Sequence, residues 1–90
     1  MTIYVIGYDL HPKQGETYTN LIETIKSLGN WWHCLDSTWL VSSNRTAAGI
    51  RDLLWQHMHS DDQLLVLTYT RDAAWNGFST ECSTWLTTNL

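Results

Sequence analysis

Residues 2–10, Thr-Ile-Tyr-Val-Ile-Gly-Tyr-Asp-Leu, carry large apolar groups on both sides of a two-residue alternation. Ile3 and Val5 fall on one side, with Gly7; Tyr4, Ile6 and Tyr8 fall on the other. An extended segment of this kind is stable only when covered on both faces, so the run predicts an interior strand. Few small architectures meet that demand. The rest of the chain must supply neighbouring strands on both edges and a layer on each face.

The following segments supply much of this. His11-Pro12-Lys13-Gln14-Gly15 reads as a loop, because Pro12 has no amide donor and Gly15 frees the chain to turn. Tyr18, Leu21, Ile22, Ile25 and Leu28 recur at helical spacing, with Glu16 near the helix start and Lys26 near its end. Gly29-Asn30 is its stop signal. Trp31–Leu35 and Thr38–Val41 are two short aromatic and β-branched runs around Asp36-Ser37, which predicts a hairpin. Ser42-Ser43-Asn44 offers caps for a second helix with the stripe Ala47, Ile50, Leu53, Leu54 and Met58. His57 and His59 are expected in its last turn. Gln63–Tyr69 is a further apolar strand, Trp75-Asn76-Gly77-Phe78 a turn, and Ser79–Leu90 a closing helix with Trp85 and Leu86 on its apolar side.

The order β-α-β-β-α-β with a C-terminal tail predicts a single α+β domain over residues 1–90, ferredoxin-like, with a four-stranded antiparallel sheet and both main helices on one face. Aromatic groups on the other face would then need a cover. The six tryptophans, Trp31, Trp32, Trp39, Trp55, Trp75 and Trp85, exceed what a core this small hides easily. Together these point to a homodimer.

Nine acidic residues against five basic ones give a formal charge of −4, and Lys13, Lys26, Arg45, Arg51 and Arg71 are scattered. That inventory argues against tight non-specific binding to DNA. No apolar run is long enough for a membrane span, and no basic leader precedes the first strand, so a cytoplasmic protein is expected. Cys34 and Cys82 have neither CxxC nor zinc spacing and are expected as free thiols.

Asp9, at the polar end of the first strand, is the main candidate for chemistry. With a second Asp9 across a two-fold axis it could hold Mg²⁺ and activate water for phosphodiester attack. The competing expectation is that it accepts hydrogen bonds from the amides of residues 11–15. His11, two residues on, is a candidate general base or second ligand, against the favoured expectation of a loop histidine with no role. His33 is expected on the same strand face as Trp31 and Leu35. Trp31, Trp32 and Trp39 could stack on bases, but the hairpin has no cationic track, so core or interface packing is the better reading.

The Tyr8-Asp9-Leu10 strand end, the Leu21–Lys26 helix, the Leu35–Trp39 hairpin and the Ile50–Asp52 helix segment resemble stretches of small bacterial proteins labelled SinR-like. In element order and in its strand-end Asp the chain is also similar to the small CRISPR-associated subunit of the spacer-acquisition complex, and to toxins of the virulence-associated protein D type. The resemblance implies a ferredoxin-like homodimer. For some members it implies metal-dependent nuclease activity at the position of Asp9, for others a non-catalytic scaffold. The function expected is a scaffold or interaction module without a resident cofactor, binding a protein partner. The alternative is an RNA or DNA endonuclease using Asp9 and Mg²⁺.

Overall fold

The computed structural model describes residues 1–90. The chain is a small α+β domain with a four-stranded antiparallel sheet and three helices: β1 (Thr2–Asp9), α1 (Thr19–Ser27), β2 (Trp31–Leu35), β3 (Thr38–Ser43), α2 (Ala47–Trp55), β4 (Gln63–Thr68) and α3 (Thr80–Asn89). The sheet order is β2-β3-β1-β4. The doubly apolar first strand is interior, as its sequence requires. It pairs with β3 from Thr2–Ser43 to Gly7–Thr38, and with β4 from Tyr4–Thr68 to Asp9–Gln63.

The core fills the space between one sheet face and the helices α1 and α2. Tyr4, Ile6, Trp39 and Val41 from the sheet meet Leu21 and Ile25 of α1 and Ile50 and Leu54 of α2. Each fully buried Leu or Ile contributes roughly 1.5–3 kcal/mol of transfer free energy. Trp39 satisfies its indole N–H on the Tyr8 hydroxyl at 3.0 Å. The chain passes from α1 to β2 through Gly29, where an added Cβ would lie 1.9 Å from the Ser42 carbonyl oxygen. Only glycine permits that approach.

The second sheet face is covered in part by the tail. Helix α3 packs on β2: Trp32 donates its indole N–H to the Cys82 carbonyl at 3.1 Å and meets Phe78 edge-on at 5.0 Å. Asn30 accepts from the Trp85 indole at 3.2 Å and donates to Asn89 at 2.9 Å. The part of this face over β4 is left uncovered, with Leu65 59% and Leu67 42% exposed.

Several expectations are corrected. Cys34 and Cys82 are joined in a disulfide, and the chain has no free cysteine. Docking α3 against β2 brings the two Cα atoms to 6.4 Å, within bridging distance, across a separation of 48 residues that no local spacing rule detects. His33 does share the helix-side face with Trp31, stacking on Trp39 at 3.7 Å, but Leu35 does not. The register shifts between Trp32 and Leu35, and one slipped residue turns Leu35 to the tail side. Thr46, not Ser42, Ser43 or Asn44, caps α2, accepting from the Gly49 N–H. The helix ends at Trp55, so His57 and His59 lie in the turns beyond it. No helix is long and apolar enough to cross a membrane.

Candidate functional site

Polar groups converge at one end of the sheet, where β1 ends, β4 begins, and the loops before α1 and after α2 meet. The centre is Asp62, 4% exposed, immediately before β4. Its Oδ1 accepts the His11 N–H at 2.7 Å and its Oδ2 accepts the His59 N–H at 2.8 Å. The Tyr18 hydroxyl lies 2.9 Å from both oxygens. Burial pushes the Asp62 carboxyl up, but the two backbone N–H groups and the Tyr18 hydroxyl together draw it below its ordinary value.

Tyr18 pays a local cost to be there. It caps α1 in the left-handed region, with φ 53°, where a bulky residue is uncommon. Burial of its ring and the bond to Asp62 hold it in place. Burial first, then the carboxylate it donates to, pushes the phenol up to about 12. His59 packs edge-on against the Tyr18 ring, with centroids 5.8 Å apart. His59 Nε2 lies 2.6 Å from Glu16 Oε1. Glu16 also accepts the Lys13 N–H at 3.1 Å; this bond and the His59 contact keep its carboxyl below the usual range. An open cleft is lined by Glu16, Tyr18, Asn20, His57 and His59.

Chemically this is a knot rather than an open catalytic centre. Asp62 has its oxygens turned onto backbone and phenol donors, and Glu16 is shared between a backbone N–H and an imidazole. With both oxygens bonded, Asp62 braces loops and has little capacity left for a metal ion, whereas both contacts of Glu16 fall on its Oε1. The knot joins the α1 entry loop to the α2–β4 connection, segments more than 40 residues apart.

Asp9 and the His11 side chain lie at this same end but outside the knot, to which His11 contributes only its backbone N–H. Asp9 is exposed, paired across the sheet with Gln63, and shares a shallow depression with Gly7 and Leu65. The loop-amide role expected of Asp9 belongs to Asp62, which receives the His11 amide. The His11 side chain is exposed. Within the chain no three His, Cys, Asp or Glu side chains converge to hold a metal ion. The sequence reading missed Glu16, Tyr18, His59 and Asp62 as a group. Their only sequence signal is a polar cluster on each side of a loop, and the two clusters meet only through the fold.

No protein-family model matches this chain, and no curated protein or solved structure is significantly similar to it.

Proposed function

We propose that this chain is a homodimeric interaction module of ferredoxin-like architecture, a non-catalytic scaffold akin to the SinR-like proteins and the small CRISPR-associated subunit that its motifs resemble. The strand order β2-β3-β1-β4, with α1 and α2 on one face, supports the ferredoxin-like assignment. The observation that carries the functional reading is the uncovered strip Leu65–Leu67 on the edge strand β4. An apolar strip beside a free strand edge invites pairing with another chain. The Asp62 carboxylate, with both oxygens bonded, fits a bracing role. Light scattering is expected to give about twice the chain mass, the commonest closed assembly. A monodisperse monomer at high concentration overturns this reading.

A second reading rests on where Asp9 lies. Its cross-strand partner Gln63 is two residues from Leu65, on the same sheet face. A dimer closed through the Leu65–Leu67 strip would bring two Asp9 carboxylates towards a common axis, with His11 nearby. Mg²⁺ held by both would activate water for phosphodiester cleavage. One exposed carboxylate per chain is a meagre donor set, and the acidic chain repels a polyanion, so the scaffold stands first. A cytoplasmic setting belongs to this proposal, and the Cys34–Cys82 bond tests it. A quantitative bond in protein alkylated at lysis would place the chain in an oxidising compartment.

A further inference from the structure

Between the second sheet face and the tail lies a cavity of about 390 Å³, within the size range of small-molecule sites. Val5 and Leu40 of the sheet form its floor, Leu86 of α3 one wall, and Trp32, Trp75 and Phe78 much of the rest. Eleven of its fourteen lining residues are hydrophobic, and Asp72 carries the one charged side chain among them. The outer wall is a strap. The last main-chain tie before it is the Tyr69 N–H on the Ile3 carbonyl, and the next is the Ser83 N–H on the Ser79 carbonyl. Residues 70–78 make no main-chain hydrogen bond, so the strap can move outward without breaking a ladder. Beyond it, the Cys34–Cys82 bond fixes α3 to β2 and keeps the far wall in place.

We infer that this cavity binds a small arylalkylammonium compound: a flat apolar ring with a short chain ending in a protonated amine. The ring fits an apolar floor bounded by aromatic side chains, which favour offset or edge contacts with another ring. The ammonium suits the rim, where Asp72 offers a carboxylate and the indole faces attract cations. A carboxylate on the same skeleton meets only like charge, because no Lys or Arg lines the cavity. Selectivity by charge is therefore built into the site. This inference does not rest on dimerisation, although Leu67 of the strip proposed for the dimer is the cross-strand neighbour of Val5 in the cavity floor.

The test uses the oxidised full chain, labelled with ¹⁵N, titrated with phenethylamine and separately with 3-phenylpropionate. Phenethylamine is expected to shift the indole N–H signals of Trp32 and Trp75 saturably, and to bind about tenfold tighter than the acid, the worth of one modest charge interaction. Asp72→Asn, an exposed substitution that leaves the core intact, is expected to keep ring binding and erase most of that preference. The inference fails if neither indole shifts saturably at millimolar phenethylamine. It fails equally if the two probes bind alike, or if Asp72→Asn retains the full preference for the amine.

Discussion

The Tyr18 hydroxyl stands 2.9 Å from each carboxylate oxygen of Asp62, joining the cap of α1 to the start of β4 across 44 residues of chain. Around that contact the His11 and His59 amides complete the shell of the carboxylate. The arrangement explains why a tyrosine occupies a left-handed backbone position and why an aspartate is buried in an acidic protein. Each compensates the other.

Asp62→Ala is expected to destabilise the domain by roughly 3 kcal/mol, because buried donors lose a charged acceptor. Tyr18→Phe removes one hydroxyl and is expected to cost about 1–2 kcal/mol. Urea melts followed by tryptophan fluorescence measure both. The double variant should fall short of the sum, since the two groups share one interaction.

Stability should fall at acid pH. Glu16 and Asp62 both have folded values below their ordinary ones. Their contribution is complete above their ordinary values, 4.5 for Glu16 and 3.8 for Asp62, and is lost as pH falls through the lowered folded values. The stability gap between wild type and Asp62→Asn should therefore narrow below about pH 4. At the alkaline end the sign reverses for Tyr18, whose folded value of about 12 lies above its unfolded one. Its contribution is full below about pH 10 and is lost as pH rises from there. Urea midpoints measured across both limbs check the two signs.

Removing the disulfide by Cys34→Ala with Cys82→Ala is expected to cost about 4 kcal/mol, as the chain-entropy model gives for a separation of 48 residues. The loss should fall first on α3, which would detach from β2. Hydrogen exchange of the Trp32 and Trp85 indole N–H groups would report it, since both are bonded through this packing.

Gly29→Ala should be among the most damaging single changes. A methyl group there meets the Ser42 carbonyl oxygen at 1.9 Å, and that oxygen belongs to backbone. A loss of about 2–4 kcal/mol is expected, read from the thermal midpoint. Gly7→Ala, where a Cβ meets nothing within 4 Å, is the control and should be nearly neutral in the monomer unit.

Leu65→Glu with Leu67→Glu is expected to give a folded monomer by light scattering, because both side chains are largely exposed within a single chain. Asp9→Asn is expected to leave both assembly and stability close to wild type. Mn²⁺-dependent cleavage of RNA or DNA by wild type, lost in a folded Asp9→Asn, would promote the nuclease reading over the scaffold.

The sequence by itself determined the elements and their order. Ile3–Tyr8 is apolar on both faces and had to be interior; Leu21, Ile25, Ile50 and Leu54 recur at helical spacing and had to be core. Such patterns are local, set by the periods of strand and helix. What the tertiary structure decided is contact between distant segments. The bulge that turns Leu35 to the tail side, the meeting of Tyr18 with Asp62, and the bond from Cys34 to Cys82 depend on how β2, the loops and α3 pack. Asp62 shows the difference most plainly. In sequence it is one of two adjacent aspartates in a helix-breaking turn, and only burial against Tyr18 and two amides distinguishes it from Asp61, which pairs with Lys13 in solvent.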